Sequence, residues 1–112
     1  ETWKQKNAAI FVAKTKEGMA GYLIFYYVLE EGEIARIATA HSVRRQGAAS
    51  QMFRKLLDFC REQKITRIML EVRENNEAAR QFYGKCGFTK DGIRRNYYEN
   101  PKENAVLMSV NL

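Results

Sequence analysis

The spacing of apolar side chains changes partway along the chain, from a strand-like period to a helical one and back. Residues 8–15 (A-A-I-F-V-A-K-T) are rich in apolar and β-branched side chains and predict a strand. Lys16-Glu17-Gly18 predicts a turn, and residues 21–29 (G-Y-L-I-F-Y-Y-V-L) carry the strongest strand signal. Glu30-Glu31-Gly32 predicts a second turn before a strand at 33–39. Three strands joined by such short turns predict an antiparallel meander.

Between residues 48 and 64, Ala49, Met52, Phe53, Leu56, Leu57 and Cys60 recur at helical spacing, with charge on the opposite side. Residues 67–72 (R-I-M-L-E-V) then read as a short strand. Asn75-Asn76-Glu77 supplies a capping residue and an acidic first turn for a helix at 77–85. Its predicted apolar face is Ala78, Ala79, Phe82 and Cys86, and Gly87 is a stop signal. Strands near 88–93 and 105–112 follow, separated by Arg94-Arg95-Asn96-Tyr97-Tyr98 and Pro101. The predicted order is β-β-β-α-β-α-β-β in one mixed α/β domain, without repeats or linkers.

Composition narrows the function classes. An apolar content of 46% in 112 residues, with six Tyr and six Phe, describes a globular domain rather than a disordered segment. No apolar run approaches the ~18–20 residues that cross a bilayer, so no membrane partner is expected. Cys60 and Cys86 both fall on the apolar sides of predicted helices. They read as buried, inert thiols, and a reducing, cytoplasmic setting is expected. One His and two dispersed Cys offer no metal-ligand cluster. The net charge of +6 is uneven: residues 1–33 hold four Lys/Arg against five Asp/Glu, residues 34–112 fifteen against eight. Either an anionic ligand or a nucleic acid would account for that excess.

The basic half carries the turn Arg44-Arg45-Gln46-Gly47-Ala48-Ala49, placed between a strand and a helix. Backbone N–H groups and the helix dipole converge at such a helix start and bind phosphates. Small residues at 47, 48 and 49 keep side chains clear of a ligand. The turn lacks both the Gly-Lys-Ser/Thr of a nucleotide P-loop and the G-x-G-x-x-G of a dinucleotide site. Glu71 interrupts an otherwise apolar strand, where a carboxylate costs free energy unless it is paired or faces a cleft. It reads equally as a general base or as the partner of a basic neighbour such as Arg73. Tyr83 lies one position off the apolar stripe and reads as a core or boundary residue. His41 reads as a solvated loop residue. The cation–aromatic mixture of residues 94–98 suits stacking on RNA bases or holding a peptide.

Together these residues resemble the GNAT superfamily of acetyl-CoA-dependent N-acetyltransferases, whose signature Arg/Gln-x-x-Gly-x-Gly/Ala fits Arg44 to Ala49. A nearer resemblance, over roughly residues 20–112, is to the ribosomal-protein-alanine N-acetyltransferases. It rests on Leu70-Glu71-Val72-Arg73, Asn76-x-Ala78-Ala79, Phe82-Tyr83-x-x-Cys86-Gly87-Phe88, Arg94-Arg95-Asn96-Tyr97-Tyr98 and Asn104-Ala105-Val106-Leu107-Met108. The resemblance implies a GNAT-like, mostly antiparallel sheet with helices on both faces. It implies acetyl-CoA as cofactor, held by Arg44, Arg45, Gln46, Gly47, Ala48 and Ala49 at its pyrophosphate, by the strand residues Ile37, Ala38 and Thr39 along its pantetheine arm, and by Asn76. Glu71 would be the general base and Tyr83 the general acid in a direct transfer, with Tyr97 and Tyr98 lining the acceptor groove. The implied acceptor is a protein N-terminal α-amine, such as that of a ribosomal protein, and nucleic acid becomes the minor reading except by way of the ribosome. A small-molecule or lysine side-chain N-acetyltransferase is the alternative enzyme. A non-catalytic coenzyme-A-binding or RNA-associated basic module is the alternative outside enzymes. Family members begin with a further strand and two helices, for which this chain has no room. The expectation is therefore an N-terminally truncated domain, or a second copy covering an exposed sheet face.

Overall fold

The computed structural model describes residues 7–16, 18–40 and 47–112. Its elements are β1 (Asn7–Thr15), β2 (Gly18–Val28), β3 (Glu31–Thr39), α1 (Ala48–Gln63), β4 (Arg67–Arg73), α2 (Glu77–Lys85), β5 (Thr89–Tyr98) and β6 (Glu103–Asn111). The mixed α/β class and the element order are those expected. The chain forms two compact units, one ending at Thr66 and the other beginning at Arg67.

In the first unit β1, β2 and β3 form the antiparallel meander, with Ile10 opposite Ile24 and Phe25 opposite Ile34. A register slip between Ile24 and Phe25 leaves Ala35 as an extra residue in β3, a bulge. Leu23, Phe25, Ile34, Met52, Phe53, Leu56 and Cys60 are all buried, so the helical stripe and the strand alternation supply one core. Each large side chain buried there contributes about 1.5–3 kcal/mol. Phe59 adds aromatic contacts to Phe11 at 5.5 Å and to Tyr27 at 5.2 Å between ring centroids. Two polar contacts tie α1 to β1: Lys55 Nζ donates to the Val12 carbonyl (2.7 Å), and Gln51 Oε1 accepts from the Lys14 amide (3.2 Å). Lys64, predicted inside α1, is instead its left-handed cap at φ 61°, and the Ile65 amide closes back on Cys60 O at 2.9 Å.

Gly32 departs from its expected place in a turn. The turn lies at Leu29 and Glu30, and Gly32 is a buried residue of β3. A Cβ there would come within 2.0 Å of Phe25 Cζ. The ring lies over the glycine, which explains a requirement that turn chemistry does not.

In the second unit β6 pairs with both β4 and β5, antiparallel throughout. Ile68, Leu70 and Val72 of β4 are buried with Val106 and Met108 of β6, alternating with half-buried positions. β5 runs to Tyr98, so Arg94-Arg95-Asn96-Tyr97-Tyr98 belongs to a strand rather than to a connecting segment. A register shift between Arg94 and Tyr98 places two extra residues in β5 against β6. Asn96 sits there with φ 50°, its amide donating to Asn104 Oδ1 at 2.8 Å. The face of α2 is also rotated from expectation. Tyr83 is its one buried residue, Ala79 and Phe82 are half-buried, and Ala78 is exposed. The face therefore centres on Tyr83, with Ala79 and Cys86 at the i−4 and i+3 positions that share its side of the helix.

Candidate active site

The phosphate turn is described from Gly47 onward; Arg44, Arg45, Gln46 and His41 lie outside the described residues. Gly47 has φ 78°, a conformation that L side chains rarely adopt, and its carbonyl accepts the first helical bond from Gln51 N at 2.9 Å. Among the described residues no side chain caps the helix start, and no acidic residue lies in its first turn. The amides of residues 48–50 thus keep donor capacity, at the positive end of a helix of 16 residues. Among the described residues nothing lies within 4 Å of a Cβ built on Gly47. These features fit an approaching pyrophosphate. Ile37, Ala38 and Thr39 are half-buried on β3 and register with Leu23, Tyr22 and Gly21 of β2.

In the second unit Glu71 registers with Leu107 of β6, which in turn faces Gly92 of β5. By strand alternation Glu71 shares a face with Arg73 and lies opposite in direction to Leu70 and Val72. Its side chain is 22% exposed, yet Oε2 is buried and has no hydrogen-bond donor among the described residues. The nearest cation among the described residues is Arg94, whose Nε approaches Oε2 at 3.5 Å in a contact that satisfies ion-pair distance but not hydrogen-bond geometry. The basic partner expected, Arg73, is occupied elsewhere. It donates to Glu103 Oε1 (3.1 Å), to the Pro101 carbonyl (3.2 Å) and to the Glu99 carbonyl (3.4 Å). Glu103 also accepts from the Asn75 amide, and that bond, with the Arg73 guanidinium, holds its carboxyl below the usual range.

Tyr97 and Tyr98 lie edge to face at 5.1 Å. Arg94 sits over Tyr97 (4.9 Å) and Arg73 over Tyr98 (4.2 Å). Burial raises the Tyr98 hydroxyl above its ordinary range, and the charge of Glu71 adds to the shift. The structure therefore gathers Glu71, Tyr98, Tyr97, Arg94 and Arg73 into one cluster. Arg94 is a member that sequence reading missed: its segment was marked as cationic and aromatic, but its placement near Glu71 depends on β5 and on the register with β6.

Asn76 caps α2, with Oδ1 accepting from the Ala79 amide at 3.2 Å. Tyr83 is 5% exposed, packed edge to face on Phe82 and tilted against Phe88, each at 5.6 Å. Burial pushes its phenol up to about 12, with a smaller contribution from Cys86. The group stays protonated throughout the neutral range. Because the folded value lies above the unfolded 10, Tyr83 adds stability below about pH 10 that is lost as pH rises through 12. Urea midpoints at pH 9 and 11 are expected to fall further for the wild type than for Tyr83→Phe; equal losses would mean that Tyr83 ionises as freely folded as unfolded.

Both cysteines are free. Burial pushes the Cys60 thiol up to about 11 and raises that of Cys86, which disfavours the reactive thiolate in each. Cys86 departs from expectation in being half-buried, because it stands just beyond the last turn of α2. Among the described residues no group of His, Cys, Asp and Glu could hold a metal ion, and no helix is long and apolar enough to cross a membrane.

Residues 1–88 match the Acetyltransferase (GNAT) family. A Haemophilus influenzae protein named [ribosomal protein bS18]-alanine N-acetyltransferase is 37% identical over 95 residues, which are 82% of this chain and 64% of that protein. The crystal structure of the Escherichia coli ribosomal-protein-S18-alanine N-acetyltransferase superposes with a TM-score of 0.86 at 31% identity, covering 93% of this chain and 68% of that one. A Bacillus anthracis acetyltransferase solved in complex with acetyl coenzyme A gives 0.85 at 26% identity, covering 95% of this chain and 63% of that one. The chain thus spans about two thirds of the length of these relatives.

Proposed function

The chain belongs to the GNAT family of acetyltransferases, which use acetyl-CoA, and from that premise we propose that it acetylates the N-terminal α-amine of a protein. A ribosomal protein is the acceptor class that the names of its relatives support. The observation that carries the reading is the Glu71 carboxylate, half-buried on β4 with one oxygen that no donor satisfies. A buried acceptor left without a donor is costly in a structural ion pair, and it is what a proton acceptor needs.

Acetyl-CoA, when bound, supplies the thioester carbonyl that the amine attacks. The amides at the start of α1 would hold its pyrophosphate, and Ala48 and Ala49 would leave room for it. By family resemblance Arg44, Arg45 and Gln46 would contribute to that site, residues 37–39 would offer backbone to the pantetheine arm, and Asn76 would lend its side-chain amide. Glu71 takes a proton from the acceptor ammonium, directly or through one water, which frees the nitrogen lone pair to form the N–C bond. Tyr83, kept protonated by burial, would supply a proton to the departing thiolate and recover one from the acceptor nitrogen, which sheds its second proton as the amide forms. Tyr97 and Tyr98 bracket the entrance for the acceptor chain, their hydroxyls suited to peptide groups.

The test is a panel of acceptors assayed with acetyl-CoA. Ala- and Ser-initiated peptides are expected to outrun polyamines and aminoglycosides by at least tenfold in kcat/KM. Preference for a small amine would replace the protein acceptor with a metabolite, and coenzyme A binding without transfer to any amine would remove the catalytic reading.

A further inference from the structure

The cluster on the Glu71 face holds two arginine–tyrosine pairs, and they are held very differently. Arg73 lies over Tyr98 and makes three hydrogen bonds, to one carboxylate and two turn carbonyls, so its guanidinium is fixed. Arg94 lies over Tyr97 and, among the described residues, has a single polar approach, the 3.5 Å contact of its Nε with Glu71 Oε2, which lacks hydrogen-bond geometry. Its side chain is 54% exposed, and Tyr97 is itself 44% exposed. The backbone beneath is pinned: Asn96 N bonds Asn104 Oδ1 (2.8 Å), and Asn104 Nδ2 donates to Glu74 Oε1 (3.2 Å). A fixed backbone thus carries a loosely held cation at the carboxylate.

We propose that Arg94 is a positioning residue, a placeholder cation that occupies the approach to Glu71 Oε2 until the ammonium of the acceptor takes its place. The inference rests on the reading of Glu71 as the base. An acceptor amine arrives in solution as an ammonium, the same charge type as a guanidinium, and both compete for Oε2. Leaving Glu71 costs Arg94 little, since its own side chain is half-exposed and its contact with Oε2 lacks hydrogen-bond geometry. Tyr97 offers the displaced guanidinium an aromatic face that it already touches. Arg73 cannot serve this way without giving up its bonds to Glu103 and the turn. The device favours acceptors that bring a positive charge to Oε2, and a neutral amine would not displace Arg94.

The test is steady-state kinetics with an Ala-initiated peptide as the varied acceptor. Arg94→Met keeps an apolar stem over Tyr97 and removes the competitor. Its KM for the peptide is expected to fall about threefold, the size that a weak, half-exposed pair supports, with the change in KM rather than in kcat. Arg94→Lys, which restores a cation, is expected to return KM toward the wild-type value. In a Glu71→Gln background, where no carboxylate is contested, Arg94→Met is expected to leave the peptide Kd unchanged by calorimetry. A rise in KM for Arg94→Met would make Arg94 a direct acceptor contact, and a fall in kcat alone would make it an orienting group; either overturns the placeholder. Thermal midpoints of the variants identify a loss that is only structural, which would also overturn it. Failure of the base assignment is separate: it appears as full turnover in Glu71→Gln, whatever the Arg94 variants do.

Discussion

Glu71→Gln is expected to lower kcat by a factor of about 10² to 10⁴, the range that a positioned general base supplies, while coenzyme A binds as in the wild type. The substitution keeps the shape of the side chain and removes its charge and basicity. It also loses the 3.5 Å ion pair with Arg94, which at half exposure contributes little to stability, so the variant is expected to fold. The cofactor phosphates would lie at the α1 N-terminus, in elements that the substitution does not touch. Calorimetry with coenzyme A therefore separates loss of chemistry from loss of binding. Turnover within a few-fold of the wild type would return Glu71 to the role of an ordinary strand carboxylate.

The largest effect on stability is expected at Gly32→Ala. A Cβ on that residue would lie 2.0 Å from Phe25 Cζ, 2.6 Å from Cε1 and 2.8 Å from Cε2, all far inside van der Waals contact. The ring has no free volume to retreat into: Phe25 is 0% exposed, with Tyr27 stacked at 6.0 Å and Phe59 edge-on at 6.5 Å. Overpacking of this kind costs typically 1–3 kcal/mol, and displacement of a whole ring belongs at the upper end, about 3 kcal/mol. For a chain of this size that lowers the melting temperature by on the order of 10 °C. Phe25→Leu destabilises on its own by shrinking the core, but combined with Gly32→Ala it relieves the clash. The double variant is therefore expected to be more stable than the sum of the single losses. A melting temperature for Gly32→Ala equal to that of the wild type would mean that β2 and β3 part easily at this point.

The strands and helices with one clear apolar side were legible from spacing alone. α1 shows why: Met52, Phe53, Leu56 and Cys60 recur at the helical period, and all four are buried. The end of β5 was not legible. From Arg94 to Tyr97 every residue is exposed, so no alternation marks a strand, and the added residues break the register as well. Gly32 was misplaced for a different reason: a glycine beside two glutamates has turn chemistry, and nothing local shows that an aromatic ring on the next strand needs the space. At the candidate site, Glu71 drew notice because a carboxylate is out of place in an apolar strand. Proximity along the chain offers Arg73 as one example of a basic partner, whereas Glu103 and the turn carbonyls capture Arg73 and leave Arg94 at the carboxylate. Such choices between competing partners are settled by tertiary pairing, which no periodicity carries. The roles of Tyr83 and Asn76 came from family resemblance, since by spacing one reads as a core residue and the other as a helix cap.

The most direct measurement is the position of the acetyl group on a peptide that begins with alanine and contains an internal lysine, after incubation with acetyl-CoA and located by fragment masses in tandem mass spectrometry. One acetyl group on the α-amine, formed by the wild type and lost in Glu71→Gln, is the predicted result. Acetylation of the lysine side chain with the α-amine left free would contradict it.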